Sequence, residues 1–261
     1  MMASSTCGPH GLAILAMALT ASGCAPKVID EDLLRPNPGE PFLEKLPGPL
    51  AESFDSFSDA LLAACKKIIT KPNAVAPRED AQDFDTYWRA ASEYCAWIYY
   101  TPDHKYELSK LTDQSKVDPA NRKKKCLLPS VVEDRRYPPD AIRYICALHN
   151  HPYASTLSPD DMRYIVEAGS RRGKEPYYGF LSETLDGARL LSIVAFFSNH
   201  VLEPTCDGFY QYFPLTGQLL KMTNTEGQWR CEQVGLVRWD DEGDPPIIEK
   251  AQGPCTQKGT P

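Results

Sequence analysis

The most constraining feature of this 261-residue chain is an apolar run that ends in two histidines and leads quickly into a helix start. Residues 143–148 are mostly aromatic, β-branched or small apolar side chains, a composition that predicts a buried β-strand. Side chains two positions apart on a strand point to the same face, so the strand end can direct His149 and His151 at one point. Pro152 has no backbone N–H to donate, and it therefore predicts the end of the strand.

The segment 158–161, Ser-Pro-Asp-Asp, has the features of a helix N-terminus. Serine is a favoured N-cap, proline suits the first helical position, and acidic residues suit the first turn. We therefore expect the strand end and the helix start to bring two imidazoles and a carboxylate together. These groups suit Zn²⁺ and leave a fourth position open. Taken separately, Ser-Pro-Asp-Asp is an ordinary cap and His-x-His a polar surface pair, so the metal hypothesis depends on their combination.

The combined pattern, His149-x-His151-Pro152 followed by Ser158-x-x-Asp161, resembles the motif of JAMM (MPN-plus, JAB) zinc metalloproteases. Six residues separate the second histidine from the serine, one fewer than in the usual family pattern. The resemblance covers roughly residues 85 to 200. It implies an α/β fold in which a mixed, cytidine-deaminase-like sheet is flanked by helices, with a C-terminal β-hairpin extension added here.

The resemblance also implies a role for each site residue. His149, His151 and Asp161 would hold Zn²⁺, which makes water nucleophilic near neutral pH. Glu93 would take the proton of the water and pass it to the departing amine. Ser158 would donate a hydrogen bond to the developing oxyanion. The reaction would be hydrolysis of an amide bond, either a peptide bond or an isopeptide bond, in a protein or peptide substrate.

Two of these assignments have alternatives in the sequence. Glu93 lies at the start of the aromatic and β-branched run 92–100, which predicts a strand, and its hydrophobic neighbours favour a catalytic carboxylate. Glu107 and Glu133 also lie upstream of the histidines and are rivals for the same role. Asp160 is the alternative to Asp161 as the metal ligand.

Two other functions compete with hydrolysis. A protein of the same shape could bind a protein or peptide partner without turnover, which would be preferred if the glutamate were remote from the metal. A cupin-like metal enzyme would need a further glutamate and histidine downstream. His200 is the one later histidine, and no matching glutamate precedes it.

The N-terminus predicts export. Residues 11–21 are apolar, too few to span a membrane, and of the length of a signal-peptide core. Small residues before Cys24 resemble the bacterial lipoprotein cleavage box, which implies removal of residues 1–23 and a lipid anchor on Cys24. Ala25 resembles an outer-membrane sorting signal, so the expected location is the bacterial cell envelope. Plain secretion is the alternative.

The rest of the chain predicts a tether, one catalytic domain and a tail. Residues 24–49 contain six prolines, which predicts an extended spacer. The domain is expected over residues 50–240, with a polar, loosely held tail over residues 241–261. The apolar patterns predict one helix and several strands. The helix is expected over 51–69, and the strands over 92–100, 105–108, 177–182, 188–198, 209–213, 218–222 and 229–239.

Cysteine usage and charge set further limits. Seven cysteines follow Cys24 and none forms a Cys-x-x-Cys pair, so disulfides are expected in an oxidising compartment, with one thiol left over. The spacing suggests Cys126–Cys146 and Cys206–Cys231. A net charge of −7 argues against general nucleic-acid binding. The basic run at 122–125 is expected to be a solvated loop.

Overall fold

The structure is a computed structural model that describes residues 30–50, 52–77, 82–120, 123–153, 156–171, 191–239 and 246–255. The expected signal peptide, the expected lipid anchor on Cys24 and the strand predicted over 177–182 lie outside these ranges.

Twelve strands and three helices are assigned within the described residues. In chain order they are β1 (Lys45–Gly48), α1 (Phe57–Ile69), α2 (Phe84–Ala90), β2 (Cys95–Tyr100), β3 (Tyr106–Leu108), β4 (Ser115–Asp118), β5 (Lys123–Cys126), β6 (Val131–Asp134), β7 (Arg143–Asn150), α3 (Pro159–Arg171), β8 (Ser192–Phe197), β9 (Gly208–Phe213), β10 (Gln218–Thr225), β11 (Gln228–Arg238) and β12 (Ile247–Pro254). The fold is mixed α/β with a core that is largely β-sheet.

One large sheet has the strand order β12-β11-β10-β9-β8-β7-β2-β3. Among its described strands only β7 and β8 are paired in parallel, and the other pairs are antiparallel. A parallel pair needs a crossover connection, and the connection between β7 and β8 contains α3. The predicted strand–helix unit around the two histidines is therefore confirmed, and it lies in the middle of the sheet.

Alternating side chains of the central strands pack against a helix on each face of the sheet. Ala96, Ile98, Cys146 and Leu148 belong to the core cluster that contains the buried face of α1. Residues between them, such as Trp97 and Ala147, belong to the cluster that contains Met162, Ile165 and Ala168 of α3. Both predicted helices are confirmed, although α1 begins at Phe57 and not at residue 51.

The segment expected to be a spacer belongs instead to the folded unit from residue 32 onward. The backbone N–H of Leu34 donates to Leu111 O at 2.8 Å, and that of Lys110 donates to Pro47 O at 2.8 Å. Leu46 is fully buried, and β1 pairs with β6 in parallel. Proline density excludes a helix here, but it allows an edge strand that docks through its carbonyl groups.

Two other expected loops are strands. Residues 123–125 of the basic run lie in β5, which pairs with β4 in a separate two-stranded sheet. In the tail that was expected to be loosely held, residues 247–254 form β12, which pairs with β11. The N–H and C=O groups of β11 would otherwise lie at an open edge, and β12 satisfies them.

The disulfides are Cys65–Cys206, Cys95–Cys126 and Cys231–Cys255. Both suggested pairs, Cys126–Cys146 and Cys206–Cys231, are therefore wrong, although the leftover thiol is confirmed as buried Cys146. The side chain of Cys146 lies among the apolar residues under α1, whereas Cys126 pairs with Cys95 at the start of β2. No helix in the described residues is long and apolar enough to cross a membrane.

Candidate metal centre

His149 and His151 at the end of β7 meet Asp161 in the first turn of α3. The two imidazole Nε2 atoms are 3.0 Å apart. Asp161 Oδ1 lies 3.5 Å from Nε2 of His149, and Asp161 Oδ2 lies 3.3 Å from Nε2 of His151. The structure therefore brings together the three residues that the sequence predicted as ligands, and these three could hold a metal ion.

The spacing of these ligand atoms fits a small divalent cation. Ligand atoms at about 2.0–2.1 Å from a tetrahedral Zn²⁺ are roughly 3.3 Å from one another. The separation of the two Nε2 atoms and the distance from each of them to its nearer Asp161 oxygen lie close to that value, and one ligand atom from each residue can be chosen with all three within 4.8 Å. Both imidazoles are buried, and the Asp161 side chain is 15% exposed. Burial alone would raise the pKa of Asp161, but the two imidazoles lower it well below its ordinary value. The carboxylate is therefore ionised and available to a cation.

The helix cap fixes the orientation of Asp161. The hydroxyl of Ser158 accepts a hydrogen bond from the Asp161 backbone N–H at 3.2 Å, as expected of an N-cap. The same hydroxyl lies 2.7 Å from Asp161 Oδ2, to which it donates, and the Ser158 backbone N–H donates to this oxygen at 2.8 Å. Capping and ligand positioning are thus functions of one local motif.

Glu93, just before β2, lines the same cleft as two members of the triad. Its side chain lines a cavity of about 470 Å³ together with His151, Ser158 and Asp161. Burial raises the pKa of Glu93 to about 8, although the charge of His151 and a hydrogen bond from the backbone N–H of Cys126 oppose that rise. A carboxyl group with a pKa near neutrality can both accept and return a proton under physiological conditions.

Asn150, between the two histidines, joins the Glu93 segment to β7. This fully buried residue faces the opposite side of the strand from the imidazoles. Its Oδ1 accepts from the Tyr94 backbone N–H at 2.6 Å, and its Nδ2 donates to Ser92 O at 3.0 Å and to Ala74 O at 2.7 Å. The peptide groups on both sides of Glu93 are therefore held to the strand that carries the ligands.

The Cys95–Cys126 disulfide supports the same geometry from β5. Cys95 is the register partner of His149 on β2, and its disulfide brings the Cys126 N–H to the Glu93 carboxyl. Neither Asn150 nor Cys126 was predicted as a part of the site. The position of Asn150 between two candidate ligands was the one available signal.

The alternative candidates for the catalytic carboxylate and for the third ligand are not part of the triad. Glu107 is buried against Arg136, and Glu133 forms an ion pair with Lys45. Asp160 lines the cleft but is not a member of the ligand triad. His200 lies near Asp207 in an exposed loop, with Nε2 and Oδ2 separated by 3.9 Å.

No protein-family model matches this chain, and neither a curated protein nor a solved structure is significantly similar to it.

Proposed function

We propose that this protein is a zinc-dependent hydrolase of peptide or isopeptide bonds with a JAMM-type site. The observation that carries the proposal is the shared cleft, which Glu93 lines together with His151 and Asp161, two members of the ligand triad. The triad alone would support only metal binding. A nearby carboxyl group whose pKa is about 8 adds the proton transfer that amide hydrolysis requires.

The residues divide the reaction among them. A bound Zn²⁺ supplies a Lewis acid for the carbonyl oxygen and favours ionisation of water near neutral pH. Glu93 accepts a proton from the attacking water as the new C–O bond forms. It returns that proton to the amide nitrogen as the C–N bond breaks, so the amine departs neutral. Ser158 holds Asp161 in the resting site and can turn its hydroxyl toward the developing oxyanion.

The fold and the disulfides are consistent with the wider proposal. A mixed sheet with a helix on each face fits a JAMM/MPN-like, cytidine-deaminase-like domain, here extended by β10, β11 and β12. Disulfides persist in oxidising compartments, which supports export. We therefore propose an envelope lipoprotein anchored to the membrane through Cys24, in the outer membrane if the cell has two.

The test is metal content and peptide hydrolysis for the purified chain and for Glu93→Gln. We expect stoichiometric zinc in both proteins, because glutamine leaves the three ligands in place. Hydrolysis of a peptide library should fall by about 10²–10⁴-fold in the variant, the range that general acid–base catalysis contributes. Glu133→Gln is the matched control, and its activity should equal that of the parent because Glu133 lies in an exposed ion pair.

Equal hydrolysis by Glu93→Gln and the parent would refute the assignment of the base. Full zinc occupancy with no hydrolysis of any substrate would favour the second candidate, a binding protein of the same shape. The hydrogen bond from the Ser158 hydroxyl to Asp161 favours this candidate, because in this structure the hydroxyl is not free to stabilise an oxyanion.

A further inference from the structure

One wall of the metal-site cleft is basic, although the chain carries a net charge of −7. This wall is the two-stranded sheet of β4 and β5. Lys116, Lys124 and Lys125 line the same cavity as Glu93 and Asp161. Three lysines therefore lie beside the proposed reacting groups of a protein whose net charge is negative.

Lys116 and Lys125 are directly opposite each other in the register of the β4–β5 pair. Like charges in this arrangement repel and destabilise a two-stranded sheet. Across the ranges that the structure describes, neither ammonium group forms an ion pair or a side-chain hydrogen bond. Lys116 is exposed and Lys125 is half-buried, so both ammonium groups are open to an anion that enters the cavity from solution.

Lys124, in contrast, has a structural role. Its ammonium donates to Trp88 O at 2.5 Å and Arg89 O at 3.2 Å, and also to Ala91 O. It also lies 4.9 Å from the centre of the Trp88 ring. Together with the Cys95–Cys126 disulfide, these contacts hold β5 in place over the cleft. The two unpartnered lysines are therefore presented by an anchored element, which lowers the cost of ordering them on binding.

Lys125 lies close to the metal ligands on two sides. Besides the main cavity, it lines a second, small cavity with His149 and Asp161. The acidic residues on the rim are engaged locally: Asp118 Oδ1 accepts from the Ala120 backbone N–H at 3.1 Å, and Asp160 lies in the first turn of α3. Acidic side chains are stabilised at a helix N-terminus.

We propose that the cleft selects substrates that carry a carboxylate beside the scissile amide bond, and that Lys116 and Lys125 determine this preference. The carboxylate is either an Asp or Glu side chain or the free C-terminus of a peptide, since both present the same group. The inference rests on the proposed amide hydrolysis, because it describes the substrate of that site.

The test measures binding separately from turnover. Three matched pools of short labelled peptides are used, with Asp/Glu, Asn/Gln or Lys/Arg at the varied positions, each with a free or an amidated C-terminus. Binding is measured by fluorescence anisotropy to the full zinc-loaded chain carrying Glu93→Gln, which does not consume the peptides. Two partly screened ion pairs should make the acidic pool bind about tenfold more tightly than its amide counterpart.

The double change Lys116→Gln with Lys125→Gln should reduce this preference to within about twofold. Lys250→Gln is the matched control because it removes a charge from an exposed lysine on β12, five strand positions from β7 and roughly 24 Å away. This control should retain the full preference. Comparison of free and amidated peptides identifies which carboxylate is bound.

The outcomes separate this inference from the hydrolase proposal. Equal binding of the acidic and amide pools, or a preference that survives the double change, would overturn the inference even if the parent hydrolyses every pool. If the parent hydrolyses no pool but the lysine-dependent preference is observed, amide hydrolysis fails while carboxylate recognition stands.

Discussion

Two clusters of buried charge differ in where their positive charge comes from. The metal-site cluster contains His149, His151, Asp161 and Glu93. The arginine cluster contains Tyr99, Glu107, Asp134 and Arg136, and both of its carboxylates are almost fully buried. Arg136 Nε donates to Asp134 Oδ1 at 2.9 Å, and its Nη2 donates to Asp134 Oδ2 at 2.6 Å and also to Glu107.

The arginine cluster supplies its own cation. Burial alone would raise the pKa of Asp134, but hydrogen bonds from Arg136 and Tyr99 lower it below its ordinary value. In the metal-site cluster, the ion-pair partners of Asp161 among the described residues are the two imidazoles, and Glu93 has a raised pKa. Buried carboxylates are costly unless they are paired. One cluster therefore carries its own cation, whereas the other could hold a cation from solution.

The largest expected effect comes from removing a ligand of the metal-site cluster. His149→Ala should abolish zinc binding and reduce hydrolysis at least about 10³-fold, because two remaining ligands do not hold a catalytic ion. Zinc should raise the melting temperature of the parent, since a ligand at 100 times its Kd adds about 2.7 kcal/mol to the free energy of unfolding. That rise should vanish in the variant.

His200→Ala is the matched control, as it removes an exposed imidazole outside the site. It should leave zinc content, hydrolysis and the thermal shift unchanged. Retention of stoichiometric zinc by His149→Ala would mean that the triad is not the metal site. Metal content by atomic emission and melting by scanning calorimetry are the measurements.

The second effect is on folding and comes from the arginine cluster. Arg136→Ala leaves Glu107 and Asp134 buried without their cation. Breaking a fully buried pair costs about 3–5 kcal/mol, and because the Arg136 side chain is 42% exposed to solvent we expect about 2–3 kcal/mol here. Zinc binding should be unaffected by the change in a chain that remains folded. Urea unfolding with the disulfides intact measures the free energy, and zinc titration measures the site.

Arg238→Ala removes a charge from an exposed pair with Glu249 and serves as the control. It should cost less than about 1 kcal/mol, as surface pairs do. A loss in Arg136→Ala no larger than in Arg238→Ala would show that the arginine cluster is not a stabilising unit.

The parts of the fold that the sequence predicted depend on local rules. Strand periodicity placed His149 and His151 on one face, and capping rules placed Asp161 at the start of α3. The ligand triad follows from these two rules together, because the strand and the helix are close in the chain. The hairpin of β9 and β10 and the long β11 were predictable for the same reason.

The parts that were wrong depend on contacts between distant residues. Cys65 and Cys206 are separated by 141 positions, and no local pattern indicates their pairing. Proline density correctly excluded a helix in the expected spacer, but it could not indicate that Leu34 would pair with Leu111. The role of Lys124 likewise depends on the carbonyl groups at the end of α2, which a basic run in the sequence does not reveal.

The smallest expected effect is a pH dependence of opposite sign in the two clusters, measured in the metal-free chain. The raised pKa of Glu93 means that, as pH rises from about 4.5 to 8, the unfolded chain ionises this group before the folded chain does. The free energy of unfolding of the parent should therefore fall relative to Glu93→Gln, by about 1–3 kcal/mol.

The lowered pKa of Asp134 acts in the other direction. The stability that ionised Asp134 contributes is complete above the ordinary pKa of the group, near 4, and is lost as pH falls through the pKa in the folded chain. The advantage of the parent over Arg136→Ala should accordingly be greatest near neutral pH and narrow below about 4. Urea unfolding in a chelating buffer from pH 3 to 8 measures the free energy of unfolding of the parent and of each variant. If the advantage of the parent over Glu93→Gln rose with pH, as its advantage over Arg136→Ala is expected to do, both carboxylates would be charge-paired within the folded chain.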